Sequence, residues 1–157
     1  EEYSSLLQIW QANLRELGIS LEIRGMEWDA QWAEAQSVNP EDRQDILLMR
    51  WWPDYASPSS WFDALVRSEE SVSFNLAYIR DAELDEMITA ADAAVASDRE
   101  EAERLYVEVQ KKLLEDSQMI YMFDDSHTFI VSDKIDGVYE NPAYSYVIHY
   151  YDITKNG

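Results

Sequence analysis

The run Ile46-Leu47-Leu48-Met49 sets four consecutive apolar residues between the turn-forming Asn39-Pro40-Glu41-Asp42 and the aromatic stretch Trp51-Trp52-Pro53-Asp54-Tyr55. A short apolar run with no polar alternation reads as a strand covered on both faces, as parallel sheets require. Upstream, Leu21-Glu22-Ile23-Arg24-Gly25-Met26 alternates in the manner of a half-buried strand. Residues 27–37 between them carry a weaker helical pattern, with Trp28 and Trp32 one turn apart. Strand, helix and strand form a βαβ unit, which crosses over right-handed and lays its helix on the sheet. The expected class is α/β, with a mixed, mainly parallel sheet flanked by helices.

This topology also locates a site. In open α/β sheets, ligands bind beyond the carboxyl ends of the strands. The second strand delivers its carboxyl end into the stretch from Arg50 to Phe62, which crowds aromatics, a carboxylate and two prolines. Trp51, Trp52 and Tyr55 combine a large apolar face with a polar handle, which suits a ligand wall, and at least one of the two tryptophans is expected to face the cleft. Asp54, held between Pro53 and Tyr55, could fix a ligand's ammonium group by a charge-assisted hydrogen bond. The alternative for Asp54 is an Asx turn onto its own backbone. Ser57-Pro58 closes the loop as N-cap and first residue of a short helix running to about Val66.

The rest of the chain supplies helices and two further apolar runs. Leu7, Trp10, Leu14 and Leu17 form a helical stripe over about residues 4–17, stopped by Gly18, and Trp10 is assigned to the core. Residues 67–80 form an irregular connection whose tail, Phe74-Asn75-Leu76-Ala77-Tyr78, could touch ligand, so Asn75 joins the candidate site. From Asp81, the expected cap of a helix carrying Leu84, Met87, Ile88, Ala91 and Val95, the chain is plainly helical. Ser97-Asp98-Arg99-Glu100 reads as a capping box opening the longest helix, to about Asp116. On that helix Glu100/Arg104 and Glu108/Lys112 are spaced to pair. Met119-Ile120-Tyr121-Met122-Phe123 and Thr128-Phe129-Ile130-Val131 are third and fourth strand candidates. The tyrosine-rich end, residues 141–151, is ambiguous between extended surface and edge strand.

Composition removes several functions. A net charge of −20, from 32 acidic against 12 basic residues, opposes nucleic-acid binding, which needs clustered cations. Without cysteine there is no disulfide or thiolate chemistry. Four unclustered glycines make no phosphate loop, and no Gly-x-Ser-x-Gly elbow occurs. The two histidines, His127 and His149, stand in no metal-ligand spacing. Asp124 and Asp125 follow a strand candidate but lack the pattern of a calcium loop, and read as a solvated turn. The expectation is a non-enzymatic chain with no metal and no cofactor. No apolar run reaches the roughly 18 residues of a membrane span. The chain enters a helical pattern at once, as if cut from something longer.

Leu14-Arg15-Glu16-Leu17-Gly18-Ile19-Ser20-Leu21-Glu22-Ile23, then Trp28, then Asp45-Ile46 leading into Trp51-Trp52-Pro53-Asp54-Tyr55-Ala56-Ser57-Pro58, resembles the C-terminal lobe of family 5 extracytoplasmic solute-binding proteins. This is the peptide/nickel ABC-transporter group. Later stretches agree: Asn75 to Tyr78, Asp81 to Ile88, Asp98-Arg99 to Tyr106 and Gln110, then Ile120-Tyr121. The resemblance covers nearly the whole chain and implies that residues 1–157 are a single lobe of a bilobed, periplasmic-binding-protein-like fold. It further implies an extracytoplasmic protein that closes on a small solute, most often a peptide, and delivers it to ABC permease subunits in the membrane. The first lobe of the same protein is then a missing partner. In peptide-binding members the aspartate of the Asp-Tyr motif meets the peptide's amino terminus, and Asp54 is the matching residue. The sequence departs from the pattern at Ala56-Ser57, where a proline and an acid are common, and other members take sugars or metal chelates. An interaction or signalling module docking a protein partner through its acidic helices is the alternative from a different class.

Overall fold

The computed structural model describes residues 3–124, 126, 128–141, 144 and 147–156. They fall into two compact units, divided after Leu47.

In the first unit, α1 (Ser4–Glu16) is followed by α2 (Trp28–Ala35) and a 3-10 turn at Pro40–Asp42. Gly18 ends α1 as expected: at φ +78 it lets its own N–H reach the Arg15 carbonyl, and the Ile19 N–H reach that of Leu14. This double closure is a Schellman motif, and it needs the left-handed conformation that glycine adopts without a Cβ penalty. Leu7, Trp10 and Leu14 are half-buried, whereas Leu17 lies beyond the last helical turn and is largely exposed. Residues 21–24 keep the expected alternation of half-buried Leu21 and Ile23 with exposed Glu22 and Arg24, but no strand ladder forms there. Trp28 and Trp32 were expected to pack helix against sheet. Instead Trp28 is half-exposed and the two rings lean on each other, centroids 5.2 Å apart. Arg24 reaches Glu34 on α2 through two bonds of 2.7 and 2.9 Å, tying the extended segment to the helix.

The second unit is built on a helical hairpin. α4 (Ala82–Val95) and α5 (Arg99–Asp116) pack along their length, and the shorter α3 (Ser59–Leu65) adds Phe62 and Leu65 to the same core. Leu84, Ile88 and Ala91 from α4 meet Ala102, Tyr106, Val109 and Leu113 from α5, all buried. These are the apolar stripes of the sequence, except that Val95, the last residue of α4, is exposed. Asp81 caps α4 by accepting from the backbone N–H groups of Glu83 and Leu84 at 2.8 and 3.2 Å. The cap of α5 lies one residue later than the expected box: Asp98 accepts from Glu101 N–H at 3.0 Å, and Ser97 bonds back to Ala94. The surface pairs shift with it, to Glu101/Arg104 and Glu108/Lys111 at one-turn spacing of three. Lys112 turns instead to Asp81, Glu83 and Asp116, 3.2 to 3.3 Å away, and so clips the start of α4 to α5.

Among the described residues, the one sheet is two-stranded and antiparallel, β1 (Ile135–Asp136) with β2 (Thr154–Lys155). Gly137 follows β1 at φ +84, where a Cβ would come within 1.9 Å of the Asp152 carbonyl oxygen. The mainly parallel sheet of the sequence reading is therefore not formed by these residues. Residues 46–49, 119–123 and 128–131 run without a ladder, because an isolated apolar run has nothing to supply its backbone partners. Several of their side chains are exposed, Ile130 and Ile120 most of all.

Candidate functional site

The stretch expected to carry function lies in the second unit, as an irregular segment leading into α3. Its two tryptophans separate. Trp51 turns inward, packs beside the core and meets the Phe74 ring edge-on with centroids 5.2 Å apart. Its indole N–H is buried with no acceptor among the described residues. Trp52, one residue on, faces out and is 54% exposed. Adjacent extended residues point to opposite sides, so one tryptophan anchors the segment while the other is available to solvent.

Asp54 is exposed, and its carboxylate accepts no hydrogen bond from a described residue. The Asx turn is thus not made. What fixes the residue is its backbone: the Asp54 N–H donates to the hydroxyl of Ser60 at 2.8 Å. Ser60 is 4% exposed, in the first turn of α3, two residues before the buried Phe62. Pro53 restricts the chain immediately before, since its ring fixes φ.

Tyr55 is also exposed, and its phenol bonds the Ser59 hydroxyl at 3.2 Å, while Ser59 Oγ donates to Ser57 Oγ at 2.9 Å. Ser59 spends its single hydrogen on Ser57, so the Tyr55 O–H must be the donor in its pair. Ser57 and Ser59 also interact with the hydroxyl of Tyr106 on α5. That hydroxyl donates to Asp92 of α4 at 2.6 Å, and the Phe62 ring lies stacked on the Tyr106 ring at 5.6 Å. Burial, and then the neighbouring Asp92 carboxylate, push the Tyr106 phenol up to about 12, against a smaller opposing pull from the two serines. Arg67 completes the brace, bonding Asp63 at 2.7 Å, Asp92 at 2.9 Å and Thr89 at 3.0 Å. The loop is therefore held from behind by hydroxyls and an ion-paired arginine, while Trp52, Asp54 and Tyr55 face outward.

Asn75, expected at the ligand, is buried at 1% exposure. Its amide donates to the carbonyls of Ile79, Arg67 and Val66 at 2.8, 3.1 and 3.4 Å, and its carbonyl accepts from Ile79 N–H at 3.0 Å. The side chain is committed to closing the connection 66–79 on itself, and it shapes the surface rather than presenting to it. Ser60 and Arg67 had no motif to betray them: one is a serine among three near Pro58, the other an arginine before an acidic pair. Ser60 finds its partner in the backbone of Asp54, and Arg67 finds partners on both α3 and α4.

Among the described residues, no three His, Asp or Glu side chains converge as a metal-holding group. His149 stacks on Tyr139 with centroids 5.6 Å apart; His127 and Asp125 lie outside the described residues. A concavity of about 430 Å³ sits in the first unit, between α1 residues such as Gln8, Gln11 and Arg15 and the turn at Gly18 to Leu21. It contains none of the expected ligand residues.

Three curated proteins are similar to the chain in sequence. The chain is 23% identical over 92% of its length to the "Probable D,D-dipeptide-binding periplasmic protein DdpA" of Escherichia coli. It is 29% identical over 86% of its length to the "Probable di/tripeptide-binding protein 5" of Pseudomonas aeruginosa, and 23% identical over 84% to the "Oligopeptide-binding protein AppA" of Bacillus subtilis. The chain is a homologue of family 5 peptide-binding proteins. It spans about a quarter of the length of these relatives, matching 27%, 25% and 23% of them. No family profile matches the chain, and no solved structure matches it. All three peptide-binding relatives are named for binding, none for a reaction, and no helix among the described residues is long and apolar enough to cross a membrane.

Proposed function

We propose that this chain is one lobe of an extracytoplasmic solute-binding protein that captures a peptide between two lobes and delivers it to ABC permease subunits. The single observation that carries the reading is the Asp54 carboxylate, exposed, without a partner among the described residues, and set beside outward-facing Trp52 and Tyr55 on a braced loop. An exposed, unpaired carboxylate between aromatic side chains suits a peptide's terminal ammonium: the charge supplies a charge-assisted bond and the rings can cover the neighbouring side chains. The names of the relatives, for dipeptides, di/tripeptides and oligopeptides, support the same solute class. Trp51 and Asn75 enter as supports of the surface on which that contact is made.

In this reading the apolar runs 46–49, 119–123 and 128–131 are strands of a mixed, mainly parallel sheet that is completed by the rest of a bilobed protein. Closure of the second lobe supplies the burial that one lobe lacks, and the solute selects the closed state to the extent that it touches both lobes.

The deciding experiment is binding by the whole protein carrying this lobe, followed by tryptophan fluorescence, with a free-amino tripeptide and its N-acetylated form. Asp54→Asn is expected to weaken the free-amino peptide about 10- to 100-fold, the range of a hydrogen bond to a charged group, and to leave the acetylated one unchanged. Equal losses for both peptides would mean that Asp54 does not meet the terminal ammonium and would remove the reading's main support. No fluorescence response to any peptide, together with capture of a protein partner, would favour a docking module instead.

A further inference from the structure

We infer that Ser60 is the positioning residue for the Asp54 carboxylate, and that its hydroxyl sets how well this surface discriminates a free amino terminus from a blocked one. The inference rests on the peptide-binding reading of Asp54 and extends it to a residue that never touches solute.

Asp54 has no side-chain bond among the described residues to hold its carboxylate, so the direction of its Cα–Cβ bond depends on where the backbone is pinned. Two constraints act there. On one side Pro53 fixes φ; on the other, the Asp54 N–H is bonded to Ser60 Oγ at 2.8 Å across six residues. Ser60 is itself immobile. It is 4% exposed, its own N–H bonds the Ser57 carbonyl at 3.1 Å, and its helix is anchored by Phe62 and Leu65 in the core. The serine therefore carries the rigidity of the helical core out to an acid that is otherwise free to turn. With the Cα–Cβ direction fixed, the carboxylate sweeps a narrower arc and loses less orientational freedom when it meets an ammonium, which is the gain of a preorganised contact. A methyl group in place of the hydroxymethyl leaves the Asp54 N–H without its acceptor and its backbone without this restraint.

The test uses the whole protein with trialanine and N-acetyl-trialanine as probes, comparing wild type with Ser60→Ala, Ser60→Thr and Asp54→Asn. Ser60→Ala is expected to weaken trialanine about 5- to 10-fold, as for one ordinary hydrogen bond, while N-acetyl-trialanine binds as before. Ser60→Thr, which keeps the hydroxyl, is expected to restore most of the trialanine affinity. Equal loss of both probes in Ser60→Ala would reduce the serine to a folding role and overturn the inference. If Asp54→Asn is selective and Ser60→Ala has no effect, the inference fails while the reading of Asp54 stands. If Asp54→Asn is itself unselective, both fall. A further measurement is independent of any probe: amide hydrogen exchange at Asp54 in the ligand-free wild type should be protected, and exchange at the rate of a free loop amide would overturn the inference even where Ser60→Ala does not fold.

Discussion

Tyr106 donates its phenolic hydrogen to Asp92 across 2.6 Å, joining α5 to α4 directly beneath the aromatic loop. Asp92 also takes the Arg67 guanidinium, so one carboxylate holds two elements of the brace. The phenol is buried and pushed up to about 12, above the usual value near 10 for an unfolded chain. A tyrosine whose folded value is raised stabilises the fold fully below pH 10 and loses that contribution as pH rises from 10 to 12. Tyr106→Phe is therefore expected to cost about 1.5–3 kcal/mol at neutral pH, as for a hydrogen bond to a charged acceptor, and to flatten the alkaline fall in stability. Guanidinium unfolding midpoints at pH 7, 9 and 11, wild type against variant, check both parts. A gap between the two proteins that does not shrink with pH would contradict the assignment.

Leu84 and Val109 are both fully buried at the centre of the α4–α5 contact. Truncating Leu84 to alanine removes three heavy atoms from a packed interior and leaves a cavity, an effect of about 2–5 kcal/mol. Val95→Ala, on the same helix but half-exposed, is expected to change stability by less than about 0.5 kcal/mol. Thermal unfolding followed by helical circular dichroism should separate the two variants clearly. Similar midpoints would mean that the hairpin packs otherwise.

Asn75 satisfies three carbonyls and one N–H inside the connection 66–79, where Tyr78 adopts a left-handed φ of 56. Asn75→Ala strands buried backbone groups without partners, at about 1–3 kcal/mol. The loss is expected to be local first: amides of residues 66–79, that of Ile79 above all, should exchange faster while those of α5 keep their protection. Uniform loss of protection would show that the connection is part of the global folding unit. Asn75→Asp keeps the acceptor for Ile79 N–H but removes the donors, so it should recover only part of the protection.

The helical half of this chain was legible because its signals are local. Periodicity placed α4 and α5, Asp81 was identified as a cap, and Gly18 as a terminator, each from residues within one or two turns. The errors there are of one residue, as when Asp98 replaces Ser97 at the cap, since both side chains can accept from the first turn. The apolar runs were a different matter. Ile46 to Met49 and Met119 to Phe123 have strand composition, but a ladder needs a second strand at a distance that no local pattern reports. At the candidate site, composition singled out Trp51, Trp52, Asp54 and Tyr55, but which tryptophan turns inward depends on Phe74 and the core. Asn75 was drawn to the ligand by its place in an irregular connection, and lies buried because its amide can close that connection. Ser60 was invisible, since its role exists only once α3 is packed.

Asp81 joins capping and ion pairing, and its acid response follows from both. Its carboxyl is held below the usual aspartate value, chiefly by the backbone N–H of Leu84, with Lys112 and the Glu83 N–H acting the same way against the cost of burial. A depressed folded value means stability that is present above the unfolded value near 3.9 and is lost as pH falls through the lower, folded one. Between pH 5 and pH 2 the wild type should lose protection of the α4 first-turn amides before those at the middle of α5. Asp81→Asn can still accept the cap bonds but carries no charge, so its first-turn protection should depend far less on pH. An Asp81→Asn variant with the acid profile of the wild type would contradict this assignment.

With 32 acidic and 12 basic residues, the charge of −20 exceeds what the ion pairs of the surface can absorb. Salt acts on this surface in two opposed ways. It weakens pairs such as Glu108/Lys111 and Arg99/Glu103, but exposed pairs contribute only about 0–1 kcal/mol each. It also screens repulsion among the many unpaired acids, which acts over all of them once the Debye length falls from about 30 Å at 0.01 M to about 3 Å at 1 M. Repulsion should dominate, so the melting temperature is expected to rise between dilute and molar sodium chloride. Sodium chloride is the appropriate probe because sulfate would also strengthen apolar burial and confuse the two causes. A flat or falling melting temperature would mean that the bridges around Lys112 and Arg67 outweigh the repulsion, and Lys112→Met should then abolish most of the remaining salt response.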